Sequence, residues 1–371
     1  MKRVLIGQLG VYGDCLYATA IARQIKHDYP DCHLTWAIGS AYKSILDNNP
    51  HVDTIWEYPV ASRWDVTNKW FEFEAEALTL KKRGDFDLVY LTQAYPGNAQ
   101  NFYESLRASM FRTYSVLMTV PITPVVRLTP DEIENVRKFA LHHHLAQRKN
   151  VILFEYSPQS GQSFLTTEIV KTIVKDITRR FPDTSIILSG NVPVHFINPD
   201  IIDGSVLTFR ENAELTKYCT LFIGTGSGIT QICMSDWAKP LPMLQLLQQG
   251  TVASVISDHN YFGLPTDQII EITRCSEIKI IGCLECILTH GFSLAREMYC
   301  EHIVPDFKII RFRMMFTKAT LTGRYFDIFP VFLTTCMDYG FSWDLVRFLM
   351  SFLENAMKLF NRKIKGGKWL W

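Results

Sequence analysis

Gly7-Gln-Leu-Gly10-Val-Tyr-Gly13-Asp14 sits directly behind the apolar run Val4-Leu5-Ile6 and leads into Cys15-Leu-Tyr-Ala-Thr-Ala-Ile-Ala-Arg23-Gln-Ile-Lys26. The order reads as strand, glycine loop, helix. Glycines let a backbone turn tightly and approach a ligand closely. The start of the following helix offers unpaired N–H groups. Asp14 stands at that helix mouth, either as an N-cap or as a base. The glycines recur every third residue, which is neither the dinucleotide pattern nor the P-loop.

Outward from this stretch, apolar and amphipathic runs alternate. Val4–Ile6, Leu34–Ile38, Thr54–Tyr58 and Leu88–Leu91 read as strands, and 14–28, 41–48, 69–83 and 99–110 as helices. Such alternation predicts a parallel sheet wrapped by helices. Pro121, Pro124 and Pro130 forbid continuous helix over 119–133. Asp131-Glu-Ile-Glu then opens a helix with acids in its first turn, where the helix dipole favours them. The polar stretch His142 to Asn150 places a domain boundary after residue 148, and Val151-Ile-Leu-Phe154 restarts the pattern. The expected architecture is α/β: two Rossmann-like domains, 1–148 and 149–320, facing across a cleft, with a basic helical tail over 321–371.

Bulk properties bound the function. At 371 residues, with 47% apolar and 20% charged residues, the chain is long enough for two full cores. A net charge of +1 gives no pull toward nucleic acid. No uncharged apolar run reaches the roughly 18–20 residues of a membrane helix, and Met1-Lys-Arg leads straight into a strand. Nine scattered cysteines do not form a disulfide framework, so a reducing cytoplasm is the expected home.

Gly13-Asp14-x-Leu16-x-Ala18-Thr19-Ala20, followed by Arg23, Lys26 and Tyr29-Pro30, resembles the opening of the family 9 glycosyltransferases, the heptosyltransferases of bacterial lipopolysaccharide assembly. The resemblance continues into Leu34-Thr-Trp-Ala-Ile-Gly39 and Asn49-Pro50-His-Val-Asp53, and resumes past residue 150. It implies the glycosyltransferase B fold, with a nucleotide-sugar donor such as ADP-heptose held by the second domain. It further implies an acceptor on the first domain, Asp14 as base, inversion at the sugar, and no metal in the chemistry. Gly10 and Gly13 would let the acceptor approach.

Two hydroxyl-rich loops suit a diphosphate. One follows Phe154 and contains Ser157, Ser160 and Gln162; the other is Gly224-Thr-Gly226-Ser227-Gly228-Ile-Thr230. Ser189-Gly190-Asn191 closes another strand, either as a plain turn or as a contact to base or ribose. The family pattern puts an acid at the position of Gly226, a His at Gln231 and a Lys near Gln162. An amide can hydrogen-bond a phosphate but cannot cancel its charge.

Cys283-Leu-Glu-Cys286, with Cys300 and His302 further on, reads either as idle thiols or as a structural zinc or iron site. The resemblance supports the second reading, since relatives that glycosylate proteins carry a cysteine-held metal here. Residues 343–364 recur as an amphipathic helix, and Arg362, Lys363, Lys365 and Lys368 precede Trp369-Leu-Trp371. Basic charge beside tryptophan suits either a membrane surface or a solvated helix end. The function expected is sugar transfer to a glycan or lipid-linked acceptor of a surface polysaccharide. A protein acceptor and a catalytically silent nucleotide-binding scaffold are the alternatives, and a hydride-transfer enzyme is disfavoured by the loop spacing.

Overall fold

The computed structural model describes residues 1–157, 160–273, 276–323, 328–347 and 350. The chain divides into two compact units, Met1–Asp306 and Phe307–Trp371.

The first unit holds two lobes. The first lobe runs β1 (Arg3–Gly7), α1 (Tyr12–Asp28), β2 (His33–Gly39), β3 (Thr54–Tyr58), α2 (Arg63–Arg83), β4 (Leu88–Leu91) and α3 (Leu106–Phe111). Its four strands are all parallel in the order β3-β2-β1-β4, with Val4 opposite Leu34 and Leu88. After α4 (Pro130–His142) the second lobe follows, with β5 (Asn150–Glu155), α5 (Thr167–Arg180), β6 (Thr184–Ser189), β7 (Ile201–Asp203), α6 (Glu211–Leu215) and β8 (Leu221–Gly224). It closes with α7 (Gly228–Cys233), β9 (Met243–Leu246), α8 (Val255–Phe262), β10 (Ile269–Ile272), α9 (Glu277–His290) and α10 (Phe292–Tyr299). Its six parallel strands are ordered β10-β9-β8-β5-β6-β7. Ile152, Phe154, Ile186, Leu188 and Ile223 form its core with α5 and α9.

In each sheet the chain leaves the first strand in one direction and returns on its other side. The switch points therefore fall between β1 and β4 and between β5 and β8, where open α/β sheets place their ligands. The loops beyond those strand ends are the glycine loops read from the sequence.

Local signals account for the helix limits. Thr129 and Glu132 form a capping box around Pro130 at the start of α4. The helix expected over 69–83 begins at Arg63, because Ser62 accepts from the Asp65 N–H and caps it there. The one expected over 99–110 shrinks to α3, which starts behind the cap Ser105. The one expected over 41–48 is a 3₁₀ helix, Ser40–Leu46. Helix α4 lies before the boundary expected at 148 yet packs on α6, with Asn135 donating to Glu211 at 2.8 Å.

The second unit contains α11 (Phe307–Thr322) and α12 (Ile328–Tyr339). It begins before the tail boundary expected at 321, because α11 pairs with α12. Arg311, 2% exposed, donates to Asp338 at 2.5 Å and to Thr334 at 3.1 Å. Residues 351–371 of the expected tail lie outside the described residues. Among the described residues no helix is long and apolar enough to cross a membrane.

Buried charge ties the two lobes together. Arg107 on α3 pairs with Asp258 on α8 at 2.9 Å, and Ser105 donates to the same carboxylate at 2.6 Å. Both members of the pair are almost fully buried. Removing one partner of such a pair strands the other. Asp258→Ala is expected to destabilise the unit by about 3–5 kcal/mol in urea melts, and replacing both residues by leucine to recover much of that loss. A loss under about 1 kcal/mol for the single change would remove the pair from the account.

Candidate active site

The loop after β1 is shaped by two buried amides. Gln8 donates to the Gly10 carbonyl at 2.7 Å and to the Gln93 side chain at 3.0 Å. The Gln93 side-chain oxygen also accepts from the Leu9 and Gly10 N–H groups at 3.1 Å each. Thr92 donates to the Gln8 side chain at 2.9 Å. The strand end after β4 thus holds the loop after β1, across the switch point. The Tyr42 ring then presses on Gly10, where a Cβ would come within 2.5 Å of it. Gly10 is accordingly set by packing within the first lobe.

Asp14 lies in the first turn of α1. The N-cap of that helix is Val11, with no side-chain hydrogen bond, so Asp14 does not cap it. Among the described residues Asp14 has no hydrogen bond and no ion pair. It is half-buried, and burial pushes its pKa up to about 7, with the charge of Arg63 at the start of α2 pulling the other way. A carboxyl poised near neutrality, open on one side, can exchange a proton at physiological pH.

Opposite it stands the loop after β8. A Cβ on Gly228 would lie 2.9 Å from the Tyr12 Cβ and 3.3 Å from the Gly13 nitrogen, so the first turns of α1 and α7 meet backbone to backbone. Gly226 turns the chain at φ +67°, in the left-handed region glycine favours. Tyr12 stacks on Phe209 of the second lobe with ring centroids 4.2 Å apart. Arg210 reaches across with bonds to Glu132 at 2.7 Å and to the Ser44 carbonyl at 2.8 Å.

The hydroxyls of this loop turn inward. Ser227 donates to Glu155 at the end of β5, and also accepts from the Ile229 N–H at 3.2 Å as the cap of α7. The other Glu155 oxygen accepts from the Thr225 N–H at 3.0 Å and from Thr230 at 3.4 Å. Glu155 is buried, which pushes its pKa up against the pull of these donors. Glu155 was not singled out from sequence; its signal was an acid at a strand end amid apolar residues.

The remaining candidates are distributed around the same strand ends. Gln162 accepts through its side chain from Thr251 at 2.8 Å and from the Val252 N–H at 3.3 Å, which joins two loops. Ser160 accepts from the Gln162 N–H at 3.3 Å. Gly190 lies under the Tyr156 ring, where a Cβ would come within 2.5 Å. Tyr156 and Ser157 border a cavity of about 360 Å³ together with Leu188, Pro193, His195 and Phe196.

The candidate cysteines lie in and beside the second-lobe core. Cys283 and Cys286 sit one turn apart on α9, inside the second-lobe core, with Cys300 packed against its edge. His302 is exposed. Among the described residues no three His, Cys, Asp or Glu side chains are grouped to hold a metal ion.

The fold can now be placed among known structures. It is similar to a family 9 glycosyl transferase of Veillonella parvula, at 13% identity over 80% of this chain and 94% of that one, with a TM-score of 0.54. It is also similar to the ADP-heptose LPS heptosyltransferase II of E. coli, at 12% identity over 78% of this chain and 99% of that one, with a TM-score of 0.53. No protein-family model matches the sequence, and no curated protein matches it. The chain therefore has the glycosyltransferase B fold, in the form seen in family 9 structures.

The raised pKa of Asp14 gives a pH-dependent stability. The folded group binds its proton more tightly than the unfolded one, whose ordinary value is 3.8. Its contribution is fully present below that value and is lost as pH rises through about 7. Asp14→Asn is expected to raise the melting temperature at pH 8 and to leave it unchanged at pH 4. An equal effect at both values would mean that Asp14 titrates normally.

Proposed function

We propose that this chain is a glycosyltransferase that moves a sugar from a nucleoside diphosphate to an acceptor hydroxyl. One observation carries the reading: a carboxyl with no partner among the described residues, poised near neutrality, stands where the first turns of α1 and α7 meet. The loops beyond β1 and β8, which leave the two switch-point strands, meet here.

In this reading Asp14 takes the proton of the acceptor hydroxyl. The acceptor oxygen attacks the anomeric carbon as the bond to the diphosphate breaks, with inversion, and the nucleoside diphosphate leaves with the electron pair. The turn Gly226–Gly228 and Ser157 receive the diphosphate. Ser227 and Thr230 act one step back, by holding that turn on Glu155. The cavity beside Tyr156 and Ser157 takes the nucleoside. The fold shared with an ADP-heptose heptosyltransferase makes a heptose-like sugar our reading of the donor, with a surface glycan or lipid-linked saccharide as the acceptor class.

A thermal-shift panel of nucleoside diphosphates and nucleotide sugars is expected to stabilise the protein with at least one member. With that donor, Asp14→Ala should lower transfer by about a hundredfold or more while the thermal shift persists. Full transfer by that variant would exclude Asp14 as the base, and a panel without any response would favour a scaffold.

A further inference from the structure

The first turn of α2 carries a tryptophan, Trp64, that is 75% exposed. The backbone around it is fixed. Ser62 caps the helix, and the Asp65 carboxylate accepts from the Ala61 N–H at 3.2 Å and from the Ser62 hydroxyl at 3.0 Å. Val66 is buried and packs on the loop after β1, where a Cβ on Gly10 would lie 3.0 Å from its Cγ2. Trp70 is fully buried and presses on Gly97 in the loop after β4, where a Cβ would come within 2.5 Å of the indole nitrogen. At about 100° per residue, Val66 and Trp70 share one face of α2, and Trp64 projects from the opposite face. One side of this turn is therefore locked onto the two loops of the first-lobe switch point, and the other presents an indole.

Arg63 links that indole to the candidate base. Its guanidinium carbon lies 5.3 Å from the ring centre of Trp64, a cation–π contact. Burial pushes the Asp14 carboxyl up, and Arg63 is the charge that pulls it back. Trp64 thus stands at the margin of the Asp14 site, on the lobe that supplies the base. Its π face carries negative charge. One face of a pyranose ring offers a flat patch of C–H groups to such a surface, while the ring hydroxyls point outward to water.

We propose that Trp64 is the platform on which a pyranose ring of the acceptor stacks, with Arg63 bracing the indole. The proposal rests on the transfer reading and deepens it, by naming the contact that selects a saccharide over a peptide. Trp64 binds the ring and takes no part in the proton transfer.

Saturation-transfer-difference NMR tests it without a donor, using the full chain and the methyl glycosides of glucose, galactose, mannose and N-acetylglucosamine, together with maltotriose. At least one should receive saturation, strongest at the C–H protons of one ring face. Trp64→Ala should weaken that binding by about two- to tenfold, and Trp64→Phe, which keeps a π face, should recover most of it. Because Trp64 is exposed, the melting temperature and the thermal shift with nucleoside diphosphates should stay unchanged in both variants. In the transfer assay Trp64→Ala should raise the acceptor KM with kcat unchanged. Binding that survives Trp64→Ala would overturn the platform, as would an absence of saturation in a protein that responds to nucleotides; either leaves the transfer reading standing. Saturation of a Ser/Thr-rich peptide and of no saccharide would also overturn it. Trp64-dependent saccharide binding in a protein without any nucleotide response would remove the transfer reading and keep the stacking site.

Discussion

The approach of Gly228 to Tyr12 and Gly13 is the constraint on which the rest of the first unit depends. With a Cβ position 2.9 Å from the Tyr12 Cβ, any other residue at 228 would force this contact to shift. That contact sets the distance between the two sheets' switch points, and so determines where any ligand shared by the lobes would lie. The Tyr12–Phe209 stack and Arg210 guard one flank, and the Arg107–Asp258 pair ties α3 to α8. Each of these groups joins one lobe to the other.

Two acids near this contact show how environment divides similar groups. Asp14 and Glu155 are both pushed toward neutrality by burial. Glu155 receives Ser227, Thr225 and Thr230, which oppose the effect of burial, and its work is to shape a turn. Asp14 receives no such donors among the described residues, and its proton is available for exchange. Separating paired acids by environment is a common way to assign chemistry to one of them.

The alternation of apolar runs with amphipathic ones made both parallel sheets legible, and the loop from Gly7 to Asp14 was legible because its strand and helix are adjacent in sequence. Contacts made across the fold were not. Gln93 lies more than eighty residues from the loop it holds. Ser227 and Thr230 read as phosphate ligands because nothing in their own segment reveals Glu155, a residue on another strand. Cys283 and Cys286 match a metal spacing that is also one helical turn, and their burial in the second-lobe core depends on strands and helices far from them in sequence. Arg107 and Asp258 are charged residues whose pairing only the tertiary structure supplies.

Asp14, without a hydrogen-bond or ion-pair partner among the described residues, is a carboxyl held in a partly dry site. A site-resolved NMR titration of its side-chain carboxyl measures this directly. The expected midpoint is about 7. A midpoint near the ordinary value of 3.8 would show a solvated or ion-paired group and contradict the account.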